Sequence, residues 1–288
     1  MLQPPWTTTL TQNEHDLILF AMVAAGLSLL ATLVRVRFTS RESHGTFRAA
    51  SLTANAVVAI AFVSYLGIIA AFVLGYTQVG DQYRPNAGAR LSWELRYMDW
   101  VVTVPLLVLE FVAISALARA ASDRMRRVGM VSAAAMIVCG FLGAFIVAGG
   151  RNSTSYVLLG VAGAVFFAIL YGLFVYTMRV SLPRLPAAAR GPYRSAGVVL
   201  LITWLLYPIV YGLVGAFEGG AVVVIAQLAL CAADMIAKIG FGTLVHRTSV
   251  LRSRNDESLD PSTVKRPRSA TNDSVYVADS RAVDFDDD

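Results

Sequence analysis

The sequence contains very little lysine: only two of its 24 basic residues, Lys238 and Lys265, are lysines, and the others are arginines. It has two cysteines, Cys139 and Cys231, both in apolar segments, which excludes a disulfide framework. Charged residues make up 15% of the chain, whereas 56% of it is hydrophobic and the mean hydropathy is +0.61. So little charge excludes an ordinary soluble domain and indicates a polytopic membrane protein.

The N-terminal residues lack the basic start of a cleavable signal peptide, and Glu14 and Asp16 come just before the first apolar stretch. Insertion is therefore expected to depend on the first helix itself. The formal charge of +5 would suit nucleic acid, but the arginines are spread over loops between apolar segments, so no nucleic-acid partner is predicted.

Seven apolar stretches are each long enough to cross a hydrocarbon core about 30 Å thick. They lie at residues 15–36, 50–75, 93–118, 127–149, 154–178, 194–216 and 221–245. The sequence therefore predicts an all-α membrane protein whose residues 15–249 form a seven-transmembrane-helix bundle. We expect a multi-pass protein in the lipid bilayer of the plasma membrane, and the arginine-rich, lysine-poor usage suits a bacterium.

Arginine is concentrated in alternate connections, after the first, third and fifth helices, while the other loops hold only Arg84, Arg90 and Arg151. The positive-inside rule then places residues 1–14 outside the cell and the C-terminus in the cytoplasm. The polar, charged residues 250–288 predict a disordered cytoplasmic tail, which leaves room for a cytoplasmic partner. The loop after the second helix, rich in Gly, Asn, Asp and Pro, predicts either a short hairpin or an irregular segment.

Lys238 stands near the middle of the last apolar stretch, LALCAADMIAKIGFGTLV. A charged ammonium deep in a bilayer costs from about 3 to more than 10 kcal/mol unless it is paired, neutralised or chemically consumed. Asp234 lies one turn earlier on the same helical face and can pair with it. A buried amine also condenses with aldehydes to form a Schiff base, so a covalent carbonyl cofactor and a purely structural salt bridge are both open on these two residues.

The third apolar stretch carries Arg96, Asp99, Thr103 and Glu110. The first three share one helical face, where the hydroxyl of Thr103 can hydrogen-bond the carboxylate of Asp99. Glu110 returns to that face about three turns, or about 16 Å, farther toward the cytoplasm. Aligned carboxylates of this kind suit a proton relay. The alternative is an Arg96–Asp99 packing pair with Glu110 at the membrane interface.

Three motifs, RYMDWVVTVPLLVLE, WLLYPIVYGLVGAFEGG and DMIAKIGFG, resemble the third, sixth and seventh helices of microbial (type I) rhodopsins. The likeness is to bacteriorhodopsin and to the bacterial proteorhodopsin and xanthorhodopsin groups, and it covers all seven helices. It implies all-trans retinal on Lys238 as a protonated Schiff base and a light-driven outward proton pump, which is an ion transporter and not an enzyme. No metal site is predicted.

The resemblance also implies roles for individual residues. Asp99 matches the proton acceptor and counter-ion, Asp234 the second counter-ion, Arg96 the arginine that organises water, Thr103 the motif's threonine, and Glu110 the cytoplasmic proton donor. Glu218 resembles part of a proton-release region, although a solvated loop carboxylate would look the same. The retinal pocket is expected to contain Tyr65, Trp100, Leu107, Met136, Phe166, Trp204, Tyr207, Pro208 and Tyr211.

Two alternatives to the pump remain at this stage. A photosensor would use the same chromophore in a slow cycle and signal through the tail. A seven-helix receptor or transporter for a diffusible ligand would give no reason for Lys238. Family members often form trimers or pentamers, so a homo-oligomer is expected. A carotenoid antenna is compatible with the resemblance, near Leu159 and Gly160, but is not predicted.

Overall fold

The computed structural model describes residues 2–39, 47–259, 264–265 and 277–278, and the side chains of residues 2–36 and 52–255. Within these residues, seven helical segments pack into a bundle. The first six contain the α-helices α1 (Gln12–Thr39), α2 (Phe47–Gly75), α3 (Ala89–Ala113), α4 (Arg119–Phe141), α5 (Ser153–Ser181) and α6 (Ala187–Ala216). The seventh is formed by α7 (Gly220–Met235), a π-helical turn (Ile236–Gly240) and α8 (Phe241–Leu259).

Short helical turns extend or connect these segments. A π-helical turn (Leu142–Ile146) and a 3-10 turn (Val147–Gly150) prolong α4, and further 3-10 turns lie at Pro5–Thr7 and Leu182–Arg184. The all-α seven-helix bundle predicted from the sequence is confirmed.

Six of these segments are long and apolar enough to cross a membrane by length and composition. The exception is α3, because its last 18 residues contain Arg96, Asp99 and Glu110. Each of these three side chains is at most 2% exposed, so the neighbouring helices cover the charged face of α3. The charged residues that set α3 apart from the other six segments are thus hidden from lipid.

The loop after α2 forms a β-hairpin, one of the two structures that its composition predicts. Strand β2 (Tyr76–Val79) pairs antiparallel with β3 (Gln82–Pro85), and β1 (Leu10–Thr11) joins the other edge of β3. Gly80 has a φ of +65° in the two-residue turn, a conformation that glycine adopts without strain. We call this side of the bundle the hairpin end and the opposite side, where α8 terminates, the tail end.

The start of α1 is set by a capping box. The backbone N–H of Thr11 donates to Glu14 Oε2 at 2.8 Å, and the N–H of Glu14 faces Thr11 Oγ1 at 3.3 Å. These bonds satisfy amide groups that a helix N-terminus leaves without partners. The helix therefore begins at Gln12, slightly before the start predicted at residue 15.

Apolar side chains cover the outside of the bundle. Phe20 is 71% exposed and Leu74 is 75% exposed, and many other large apolar residues on the helices are similarly uncovered. In water such a surface would be a liability, whereas in a bilayer it meets acyl chains. The interior combines an apolar core with buried polar and charged side chains, among them Arg96, Asp99 and Lys238. This distribution agrees with the predicted multi-pass membrane protein, which is confirmed.

The last helix extends beyond the predicted boundary of the bundle at residue 249, because α8 continues to Leu259. Beyond it, the structure describes two paired two-residue strands, β4 (Val264–Lys265) and β5 (Val277–Ala278). The rest of the predicted disordered tail, and with it the site of any tail partner, lies outside the described residues.

Candidate functional site

One face of the seventh helix carries four polar or charged residues that point into the bundle interior. Gln227, Cys231, Asp234 and Lys238 follow one another at intervals of four, three and four residues, which keeps them on one side of a helix. All four are buried. Lys238 lies inside the π-helical turn Ile236–Gly240, a local irregularity often found at functional sites.

The ammonium of Lys238 lies between two carboxylates. Its Nζ atom donates to Asp99 Oδ2 at 2.5 Å and to Asp234 Oδ1 at 3.0 Å. The three side chains are 1–2% exposed. The structure thus brings together the third and seventh helices at the residues that the sequence singled out. The three charges can share this interior because each of the two carboxylates has the ammonium beside it.

Asp234 is the most heavily hydrogen-bonded carboxylate of the site. Its Oδ1 atom accepts from three donors and its Oδ2 atom from two. The donors are Lys238 Nζ (3.0 Å), Trp100 Nε1 (3.1 Å), Tyr207 OH (3.0 Å), Tyr65 OH (3.0 Å) and Arg96 Nη1 (3.4 Å). Five donors, two of them cationic, stabilise the ionised form of this carboxylate.

Asp99 has far fewer partners. Its Oδ2 atom accepts from Lys238, while its Oδ1 atom is buried without a hydrogen bond from any described residue. The expected bond from Thr103 is not formed, because the Thr103 hydroxyl donates to the backbone carbonyl of Asp99 at 2.9 Å. That prediction was wrong because a threonine within a helix can reach the carbonyl four residues earlier.

Arg96 has two partners that the sequence interpretation missed. Its Nη2 atom donates to Gln227 Oε1 at 2.8 Å and lies 3.5 Å from Cys231 Sγ. The available signal was the helical spacing of Gln227 and Cys231 ahead of Asp234, which places a lone amide side chain on the charged face. Tyr65, which the sequence analysis places in the retinal pocket, accepts from Arg96 Nη1 at 3.2 Å and donates to Asp234 Oδ2 at 3.0 Å.

Glu110 lies alone toward the tail end of α3. It is 1% exposed, and neither of its carboxyl oxygens has a hydrogen-bond partner among the residues that the structure describes. An ionised carboxylate with no partner is very costly in an apolar interior. The surroundings are therefore compatible with the protonated, neutral form of this side chain.

Most of the residues predicted to line a pocket surround two apolar cavities of about 90 and 20 Å³. Both cavities are lined by Trp100, Met136, Tyr207 and Pro208; the smaller also by Trp204 and the larger by Tyr211. Because proline has no N–H, Pro208 leaves the carbonyl of Trp204 without its usual helical donor.

Three residues predicted for the pocket, Tyr65, Leu107 and Phe166, are not among those that line the two cavities. Phe167, and not Phe166, lines the larger cavity, because neighbouring residues of a helix point in directions about 100° apart. Leu107 is buried in the core of the bundle but is not among the residues that line the two cavities.

Tyr211 of α6 packs tightly against α5 and against the π-helical turn that prolongs α4. The Tyr211 hydroxyl donates to the backbone carbonyl of Tyr156 at 3.0 Å, and the Tyr156 hydroxyl donates to the backbone carbonyl of Tyr211 at 2.7 Å. The two rings stack with their centroids 4.2 Å apart. Gly143 and Gly160 allow this approach, because a Cβ atom at either would lie 2.6–2.8 Å from the Tyr211 side chain. The wall of the larger cavity therefore depends on two positions without side chains.

Glu218 is not part of the cluster. It is exposed in the connection between α6 and α7, at the hairpin end. A third cavity, of about 50 Å³, begins under the N-terminal segment at Leu2 and Trp6 and reaches inward to Arg96. Trp6 stacks on Phe145 at 4.7 Å over its entrance.

Comparison with known proteins agrees with this geometry. The sequence model of a family described as bacteriorhodopsin-like protein matches residues 15–251. The chain belongs to the bacteriorhodopsin-like family. Bacteriorhodopsin-I of Haloarcula marismortui is 28% identical over 197 residues, which cover 67% of this chain and 74% of the relative. Sensory rhodopsin-2 of Haloarcula vallismortis is 27% identical over 250 residues, covering 86% of this chain and 93% of the relative.

The fold is also that of solved rhodopsin structures. Xanthorhodopsin, described as a light-driven ion pump with dual chromophore, superimposes with a TM-score of 0.78 at 24% identity, covering 86% of this chain and 98% of that structure. The resemblance to microbial rhodopsins is thus confirmed.

Bacteriorhodopsin-like proteins bind retinal through a Schiff base to a lysine, which confirms the predicted retinal. The residues of this chain fit such a group. A lysine amine is buried between two carboxylates, one of which keeps an unfilled acceptor atom, and aromatic rings enclose apolar cavities beside Trp100 and Tyr207.

Proposed function

We propose that this protein is a light-driven outward proton pump in which Lys238 carries retinal. When bound, retinal would supply light absorption and isomerisation, while Lys238 would supply the nitrogen whose proton is transferred. The observation that carries the proposal is the placement of Glu110, a buried carboxyl without a hydrogen-bond partner among the described residues, on the same helix as Asp99 and about three turns closer to the tail end. A pump needs such a second carboxyl on the far side of the central site.

Asp99 is the proton acceptor in this proposal. Its Oδ1 atom has no described donor, and its Oδ2 atom has only the lysine nitrogen. If the N–H turns away, the carboxylate is left buried and unpaired, and taking up a proton removes that cost. Asp234 keeps donors from Arg96 and from aromatic side chains, so it stays ionised and acts as the lasting counter-ion.

Glu110 is the proton donor. Its neutral form is the one that its surroundings favour, so it holds a proton ready before the transfer. Once Asp99 is protonated, the nitrogen on Lys238 lacks a proton, and Glu110 supplies one from the tail end. Uptake from the cytoplasm then restores the proton of Glu110.

The outward direction follows from two features. The arginine-rich connections predict that the tail end faces the cytoplasm. The cavity beneath Leu2 and Trp6 extends inward to Arg96 and so offers a route from the Asp99 side to the hairpin end. Protons would therefore be released at the hairpin end, where Glu218 is exposed.

Aromatic side chains hold retinal in this proposal and exclude water from it. Trp100, Trp204 and Tyr207 surround the apolar space next to the charged cluster, and Met136, Pro208 and Tyr211 extend its wall. Trp100 and Tyr207 also bind Asp234, so the pocket and the counter-ion share two side chains.

The test measures the external pH of unbuffered cells that express the full chain with all-trans retinal, in light and darkness, with and without a protonophore. The proposal expects acidification in light that the protonophore abolishes. Lys238→Ala should be colourless, Asp99→Asn should be coloured without transport, and Glu110→Gln should transport slowly. A coloured wild-type protein that leaves the pH unchanged would overturn the pump.

A photosensor is the second candidate, favoured by the match to sensory rhodopsin-2 over 86% of the chain. It would use the same lysine and counter-ions without net transport, and its signal would pass through the tail to a cytoplasmic partner. The same experiment separates the two functions, because a sensor gives colour and a slow return to the dark state but no acidification.

A further inference from the structure

Helix α3 ends at Ala113, three residues after Glu110, and two carbonyl groups that directly follow it are bound by the seventh helix. The N–H of Ile114 donates to the carbonyl of Glu110 at 3.3 Å. The carbonyls of Ile114 and Ser115, just beyond the helix, both accept from Arg252 Nη1, at 3.1 and 2.8 Å. A cation at a helix C-terminus both satisfies unpaired carbonyls and matches the negative end of the helix dipole.

Two further contacts hold the same end of α3. The N–H of Ala116 donates to Ser181 Oγ on α5 at 3.2 Å, and Ser181 is fully buried. Phe111 lies between the parallel rings of Phe174 and Tyr193, at 4.5 and 5.0 Å. The backbone that follows Glu110 is therefore fixed to three other helices.

Glu110 depends on this anchoring because nothing holds its carboxyl group directly. Both oxygens lack a hydrogen-bond partner among the described residues, so the position of the carboxyl is set by the backbone and by apolar packing. Arg252 lies 14 residues after Lys238, about four turns along the same helix. The seventh helix thus carries the central lysine and, through Arg252, a contact to the end of α3.

We propose that Arg252 is a positioning residue that keeps Glu110 aligned for proton return. It does not touch the transferred proton and acts through the carbonyls of Ile114 and Ser115. The inference rests on the proposed function, because it assumes that Glu110 is the donor.

The first test follows the recovery of the visible absorption band after a flash, at several external pH values, in the retinal-bound full chain. With Glu110 aligned, the recovery rate should not depend on external pH. In Arg252→Gln the proton must come from bulk water, so the recovery should be slower. Because the proton concentration then limits the rate, we expect the rate to fall by up to about tenfold for each unit by which the external pH is raised. Arg252→Lys keeps a cationic donor and should restore part of the rate. Arg254→Gln removes the same charge from an exposed position nearby and should behave as wild type.

The second test needs no retinal. Amide hydrogen exchange of peptides covering residues 110–118 is measured by mass spectrometry on the retinal-free protein. Arg252→Gln should exchange faster there than wild type, and Arg254→Gln should not. The proposal requires both results for Arg252→Gln. Faster exchange with unchanged recovery would mean that the contact of Arg252 with the end of α3 is merely structural. Altered recovery with unchanged exchange would exclude that Arg252 acts by holding the end of α3. Glu110→Gln separates the two proposals. If it retains a fast, pH-independent recovery, the donor role itself fails; if it loses that recovery while Arg252→Gln keeps it, only the positioning role fails.

Discussion

Asp99 and Asp234 both accept a hydrogen bond from the Nζ atom of Lys238, at 2.5 and 3.0 Å, but only Asp234 is bound by further described donors. The two carboxylates are equally buried, so burial does not distinguish them. Their hydrogen bonds do, because removing one ammonium leaves Asp99 without a donor and leaves Asp234 with four. This asymmetry is the physical basis for assigning one as acceptor and the other as permanent counter-ion.

The asymmetry predicts different stability losses in the retinal-free protein. Asp234→Asn leaves the buried Arg96 without its carboxylate and should lower the free energy of unfolding by about 3–5 kcal/mol. Asp99→Asn leaves Lys238 paired with Asp234 and should lower it by only about 1–3 kcal/mol. Thermal unfolding in detergent measures both variants against wild type. Equal losses would contradict the difference in hydrogen bonding.

Glu110→Gln should change function without changing stability. Because neither carboxyl oxygen has a described partner, the substitution breaks no hydrogen bond, and the free energy of unfolding should change by less than about 1 kcal/mol. The return of the proton should nevertheless slow and become dependent on external pH. Flash kinetics and thermal unfolding of the same samples test this. Glu94→Gln is the control. Glu94 lies on the same helix but pairs with Arg90, at 2.6 Å, so its substitution should leave the kinetics unchanged.

Gln227 should stabilise Arg96. Gln227→Leu removes the acceptor of Arg96 Nη2, and losing a hydrogen bond to a buried charged group should cost about 1.5–3 kcal/mol of unfolding free energy. The visible absorption of the retinal-bound protein should also shift, because Arg96 contacts Asp234. Gln227→Glu keeps an acceptor oxygen and should retain more of the stability. A Gln227→Leu protein with wild-type melting temperature and colour would contradict this role.

Two glycines of α5 provide a matched test of the pocket wall. A Cβ atom at Gly160 would lie 2.8 Å from the Tyr211 ring, so Gly160→Ala should displace that ring, lower the melting temperature and change the visible spectrum. At Gly172 no atom of the described residues, apart from the surrounding helix backbone, lies within 4 Å of such a Cβ. Gly172→Ala should therefore leave the spectrum unchanged and stabilise the helix by about 0.5–1 kcal/mol. Identical behaviour of the two variants would mean that Tyr211 does not need the space at Gly160.

The sequence by itself determined the features that depend on one helix at a time. Seven apolar stretches predict seven spans because a bilayer of fixed thickness demands a minimum length. The spacing of Asp234 and Lys238, and of Arg96, Asp99 and Glu110, predicts shared faces because the helical period is local. These faces are buried as expected. The motifs on three helices were also sufficient to indicate the family.

Only the tertiary structure decided which partners meet between helices. Three kinds of contact join residues that are far apart in sequence. They are the hydrogen bonds to Asp99 and Asp234, the bond from Arg96 to Gln227, and the bonds from Arg252 to the end of α3. The choice of Phe167 over Phe166, and of the Asp99 backbone over its carboxylate as the acceptor for Thr103, depends on details of helix rotation and rotamer. Those details arise from packing among all seven helices and from the π-helical turn at Lys238. Neither can be read from the regular period of a single helix, about 3.6 residues per turn.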